Sequence, residues 1–223
     1  GGVTIDTIQI GGGGATNINS PNALTINLLI FTVFGAIIPT ALLSSGVLRD
    51  QSFKTEEMFY SRPIRKFDFV LGRFIGGYVA TALAFAIVPL AFLIGSQMPW
   101  LDQELVGPTN LGHYLYLYAT IGLVNMWVVG TILFTVANFT RSTIMTYAAF
   151  VGLLVLYFVG LGLAQNAPEL RQLIALIDPF GLNTYSEVTR YWTVSEQNGQ
   201  VMAFDGLFMQ NRLLWIGIGL ALL

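Results

Sequence analysis

Apolar residues fill this chain in long stretches, and charged side chains interrupt them rarely. Positions 7 to 48, 74 to 101, 105 to 140 and 142 to 168 carry no Asp, Glu, Lys or Arg. Each stretch exceeds the roughly 20 residues that a helix needs to cross a bilayer. The stretches are continuously apolar, which excludes a transmembrane β-barrel, whose strands alternate between lipid-facing and lumen-facing residues. Trimmed at Gly, Pro, Asn and interfacial aromatics, they predict an all-α, polytopic transmembrane helical bundle with complete spans at 24 to 48, 72 to 95, 114 to 137 and 143 to 164. A truncated fifth span begins near Leu213.

Lys and Arg are retained on the cytoplasmic side of a membrane, so their placement sets direction. Residues 49 to 73 hold six of the ten basic side chains (Arg49, Lys54, Arg62, Arg65, Lys66 and Arg73), whereas 1 to 23 and 96 to 113 hold none. The 49 to 73 loop is therefore expected inside. Alternation puts the turn Asn138 to Ser142 inside too, and puts 165 to 212 outside. The Gly- and Asn-rich start, with Gly11 to Gly14, reads as an external loop. Its glycines are not flanked by a strand and a helix, as a phosphate-binding loop requires. With 1 to 23 outside, one span is expected upstream, so that the chain reads as a fragment of a six-span unit.

Composition agrees and adds exclusions. Only 10% of residues are charged, against about 25% in soluble domains. The chain has no cysteine, which excludes disulfides and thiol chemistry, and its one histidine, His113, argues against a histidine-built metal site. His113 falls at a span end among Tyr114, Tyr116 and Tyr118, the place of an interfacial residue. No Asp, Glu or Lys lies within the four complete spans. Ion-coupled transporters place such residues in the bilayer, so energy for transport is expected from elsewhere. His-Glu-x-x-His and other intramembrane-protease motifs are also missing, and no enzyme activity is expected of this chain.

Polar side chains within the spans are few. Asn125, Thr131, Thr135, Ser44 and Ser45 either line a pathway or bond across helices. Pro39 and Pro89 are expected to kink their spans. Gly72, Gly76 and Gly77, and the series Gly152, Gly160 and Gly162, allow close helix approach or dimer contacts.

Charge concentrates in one place. Ten charged side chains lie between Arg49 and Arg73. Thr55 followed by Glu56 and Glu57 starts a helix whose positive end favours the acids, and Pro63 keeps that helix short. Ile64, Phe67, Val70, Leu71 and Phe74 then draw an apolar stripe, which predicts a second helix lying in the headgroup layer before it turns into the membrane. Such a loop either anchors to anionic lipid or offers a helix to a cytoplasmic partner.

Phe53-Lys54-Thr55-Glu56-Glu57-Met58, Ser61-Arg62-Pro63-Ile64-Arg65 and Val70-Leu71-Gly72-Arg73 together resemble the first cytoplasmic loop of ABC exporter permeases of the type-2 superfamily. Arg73 stands where Lys is commoner in that family. The resemblance implies that this loop carries a coupling helix, with Thr55, Glu56, Glu57, Arg62, Pro63, Arg65 and Lys66 binding an ABC ATPase subunit. It also implies a second permease half, a location in the bacterial inner membrane and no nucleic-acid partner. The chain itself would bind no cofactor, ATP and Mg being used by the ATPase. In 165 to 212, Leu170, Leu173, Ile174 and Ile177 form a short stripe, Asp178-Pro179-Phe180-Gly181 breaks it, and Tyr185, Val188 and Trp192 begin another. This segment reads either as an interfacial aromatic belt or as the short helices that precede the last span in such exporters. The stretch from Asp178 to Thr193 is similar to a subgroup fused to a zinc aminopeptidase-like domain, which would follow this segment. A secondary transporter or channel is the alternative reading.

Overall fold

The computed structural model describes residues 16 to 52, 65 to 166 and 168 to 223. Helices are the only regular structure among them. The first, α1 (Pro21–Gly35), starts where Ser20 accepts the Ala23 N–H and Pro21 supplies a pre-set φ. It leads into α2 (Ile37–Ser52), then α3 (Lys66–Phe85) and α4 (Ile87–Gly95). Asn110 caps α5 (Leu111–Leu117), which passes through a π-helical stretch, Tyr118–Leu123, into α6 (Val124–Thr140). Arg141 then adopts a left-handed conformation, returns its N–H to Ala137, and lets α7 (Thr143–Asn166) begin at once. Three short helices follow, α8 (Arg171–Ile177), α9 (Leu182–Val188) and α10 (Val194–Gly199), and α11 (Gly206–Leu222) closes the chain.

Among the described residues three helices are long and apolar enough to cross a membrane, Phe67–Gly95, Leu111–Thr140 and Thr143–Gly162. A fourth is added if α1 and α2, bent by 42°, count as one span. The Leu111–Thr140 span is central. Its most apolar stretch is 56% buried within the protein, against 11% and 17% for the other two, because α6 packs against α2, α3, α7 and α11. Leu43 of α2 wedges between glycines of its neighbours: a Cβ would lie 3.1 Å from it on Gly77 and 3.3 Å on Gly130. Gly72 and Gly76 face open space, so of the three glycines expected to mediate close approach on α3, Gly77 does so.

Two expected boundaries move. No separate headgroup-layer helix precedes the second span, because α3 runs unbroken from Lys66 to Phe85. Gly72 weakens a helix by only about 1 kcal/mol, and nothing else in that segment opposes continuation. The last helix starts at Gly206, seven positions before Leu213, with Asp205 at its positive end. Arg212 therefore lies within a helix and not in a preceding loop.

The segments at 16 to 20, 103 to 107 and 193 to 205 meet at one end of the bundle. Asn19 and Gly107 exchange two hydrogen bonds of 2.7 Å, and the Asn17 N–H donates to Asn198 Oδ1 at 2.8 Å. Tyr116 donates to the Met202 carbonyl at 2.6 Å.

Candidate functional site

Thr55, Glu56, Glu57, Arg62 and Pro63 lie outside the described residues. Arg65 is exposed and extended immediately before α3, where its carbonyl accepts the Phe69 N–H at 3.2 Å, and Lys66 is the first residue of that helix. What the structure does place is the pair of helices that flanks the charged loop: α2 leads into it, α3 leads out, and the two pack along each other.

Both of these helices are broken at matching points. Ala36 separates α1 from α2, three residues before Pro39; Ala86 separates α3 from α4, three residues before Pro89. A proline has no N–H for the carbonyl four residues back and crowds it sterically. The Gly35 and Phe85 carbonyls thus lose their helical donors, and each helix is interrupted one residue later, with a bend of 42° at Ala36. At Ala36 the freed geometry is stabilised by the Thr40 hydroxyl, which donates to the Ala36 carbonyl at 2.7 Å.

The π-helical stretch meets both breaks. The Phe85 ring is fully buried, 3.0 Å from where a Cβ on Gly35 would stand and 3.2 Å from one on Gly122. Tyrosine hydroxyls tie the two sides together: Tyr118 donates to the Ala82 carbonyl at 2.6 Å, beside the Ala86 N–H, and Tyr78 donates to the Leu123 carbonyl at 3.0 Å. One ring therefore sits between three helical irregularities, and π-helical turns of this kind cluster at functional sites.

A second centre is polar and wholly enclosed. Arg212 has no exposed surface. Its guanidinium donates to Asn125 Oδ1 of α6 at 2.7 Å and to Asn211 Oδ1 of its own helix. Asn125 in turn donates to the Thr32 hydroxyl of α1 at 2.8 Å and the Phe180 carbonyl at 2.9 Å. Asn211 donates to the carbonyls of Ala175, Leu176 and Asp178. The Asp178 carboxylate is occupied by the N–H groups of Phe180, Gly181 and Asn183 and by the Asn183 side chain. Gly181, at φ +88°, is the residue the guanidinium packs on, since a Cβ there would stand 2.4 Å from Nη2. Charge buried among bonded amides in this way is a lock joining α1, α6, α11 and the α8–α9 turn.

Of the polar residues expected to line a pathway or bond across helices, Asn125 bonds across, and Thr135 reaches the Leu222 carbonyl at 3.2 Å. Thr131 and Ser45 bond within their own helices. Arg212 was legible only as a charge. Its partner Asn125 is 87 positions away, and the adjacent Asn211-Arg212 pair ahead of an apolar run is the one local sign of it.

An open cleft of about 720 Å³ lies between α6, α7, α8 and α11, lined by Val129, Leu153, Gly160, Ile174 and Trp215 among others. It adjoins a smaller and more polar cavity of about 400 Å³ that includes Arg171, Asn183, Ser186, Glu187 and Arg190 beside Leu161, Ile174 and Leu182. Leu161, Ile174 and Asn183 line both. Among the described residues no three His, Cys, Asp or Glu side chains gather as metal ligands would.

No protein-family model matches the chain, and no curated protein matches it either. The fold defines a class on its own: an all-helical protein whose several long apolar helices are those of a multi-pass membrane protein.

Proposed function

We propose that this chain is the membrane-spanning permease part of an ATP-driven ABC exporter, driven through the charged loop at 49 to 73. The observation that carries this reading is the arrangement around Phe85. The loop is held between α2 and α3, each of which ends in a proline-generated break, and both breaks abut the same ring. A push on the loop is delivered to two helices interrupted at one level, against the π-helical stretch of the central span. That is the hinge geometry alternating access requires. The resemblance of Thr55 to Lys66 to a coupling helix supplies the partner, an ATPase subunit that binds ATP and Mg, with a second permease half completing the transporter. The loop then faces the cytoplasm and 165 to 212 faces outside. Arg212 fits this reading better than ion coupling, since its charge is enclosed by amides and lines neither of the two cavities described above.

The test uses the full chain co-expressed with its ATPase in membranes. Glu56→Lys with Glu57→Lys is expected to abolish substrate-stimulated ATP hydrolysis while leaving membrane insertion unchanged. Stimulation at the unsubstituted level rules out coupling through this loop.

A further inference from the structure

We infer that the cleft between α6, α7, α8 and α11 holds one anionic membrane lipid, with an acyl chain in the apolar part and a phosphodiester headgroup at Arg171 and Arg190. The inference does not depend on an ATPase partner. It rests on the match between two adjoining cavities and the two halves of an amphiphile.

The larger cavity is walled almost wholly by apolar side chains. The hydrogen-bonding capacity of its one carboxylate, Asp178, is taken up from within, because both oxygens accept N–H groups of the α8–α9 turn and α9. Along α7 it runs from Ala149 to Leu161, about 18 Å at 1.5 Å per residue. One leaflet of a bilayer is about 15 Å of hydrocarbon, half of the whole core. An acyl chain of one leaflet therefore fits the length, and Gly152 and Gly160, where an added Cβ would meet no neighbouring element within 4 Å, leave the width.

The smaller, more polar cavity lies beside Leu161 of α7 and Arg171 of α8, at the end of a long apolar helix. There Arg171 on α8 and Arg190 after α9 converge with Asn183 and Ser186. One acid faces the same space, Glu187, 3.9 Å from Arg190. The balance of two guanidinium groups and one carboxylate leaves a single positive charge, which a phosphodiester monoanion complements, and guanidinium groups suit phosphate oxygens bidentately. Leu170, Leu173 and Ile177 on the outer side of this region are about half exposed, as expected of a helix lying on a lipid interface.

Trp215 lines the cleft and reports on it. The full chain is reconstituted in phosphatidylcholine vesicles containing, over the same series of mole fractions, either brominated phosphatidylglycerol or brominated phosphatidylcholine. The bromine quenching that disappears in Trp215→Phe is the signal. Half-quenching by the anionic lipid is expected at a several-fold lower mole fraction than by the zwitterionic one. Arg171→Gln with Arg190→Gln removes that difference, and Gly160→Phe, which fills the cleft, removes the signal for both lipids. Equal quenching by the two lipids overturns the inference, as does a signal unaffected by Gly160→Phe. Displacement of the lipid by inorganic phosphate alone also overturns it, by reducing the site to an anion pocket. Loss of quenching together with cross-linking between copies through position 160 gives the cleft to a second copy instead.

Discussion

The Arg212 guanidinium gains its place in an apolar helix from Asn125 and Asn211, so the cost of removing it is set by what is left unpaired. Arg212→Met strands two amide oxygens and the dipoles aligned on them. A destabilisation of about 2–6 kcal/mol is expected, about 1–3 kcal/mol for each unpaired oxygen, read as a lowered melting temperature in detergent. Arg212→Met combined with Asn125→Leu should cost clearly less than the sum of the two single changes, since the Arg212–Asn125 bond is lost once and no Asn125 oxygen is left unpaired. Glu196 makes a different kind of prediction. The Thr193 backbone N–H first, and its hydroxyl second, hold the Glu196 carboxyl below its ordinary range. A depressed folded-state value means that the capping interaction is fully present above the unfolded carboxylate range and fades as pH falls through the folded one. Amide protection of Glu196, and of Asn17, whose N–H is tied to Asn198 of the same short helix, should fall in acid. In Glu196→Gln the capping geometry persists and that pH dependence is expected to vanish. At this scale the sequence was legible in type but not in pairing. Asn125 stood out as a polar residue in an apolar span, but no local pattern says that an amide will meet a guanidinium from a distant helix.

Phe85 organises the elements. Truncation to Ala opens a cavity at the point where α1, α3 and the π-helical stretch meet, and should cost about 3–5 kcal/mol in thermal unfolding. Phe67→Ala, on the same helix but 63% exposed, is expected to be nearly neutral. The two interruptions ahead of Pro39 and Pro89, with a 42° bend at the first, were readable, because a proline acts on a known carbonyl four residues back. The π-helical stretch was not, because Tyr118–Leu123 contains no residue type that demands it; it arises from packing against Phe85 and from the Tyr78 and Tyr118 hydroxyls. Periodicity likewise placed the breaks around Asp178–Gly181 but could not distinguish a headgroup-layer helix from the continuous α3. It also could not show which of Gly72, Gly76 and Gly77 faces a neighbour, since that depends on where Leu43 sits.

On the scale of the whole molecule, long uncharged runs made the helical, membrane-spanning class legible, because crossing hydrocarbon leaves few alternatives. The order in which the spans pack, with Leu111–Thr140 at the centre, was hidden, since every span is apolar and centrality depends on which faces are shared. The proposed coupling joins these scales: force on the 49 to 73 loop enters α2 and α3 and is released at Ala36 and Ala86. The chain has no cysteine, so spin labels can be placed freely. Gly72 has open space beside it, and Leu83 on α3 and Ile144 at the start of α7 are both highly exposed. The decisive measurement is the distance between labels at Gly72 and Ile144 in the full transporter with its ATPase, with and without trapped ATP, beside the pair Gly72 and Leu83 within α3. Trapping should shift the first distance by several ångströms and leave the second unchanged, as a rigid α3 moving on its break requires. A Gly72–Ile144 distance that stays the same in both states contradicts ATP-driven movement through this loop.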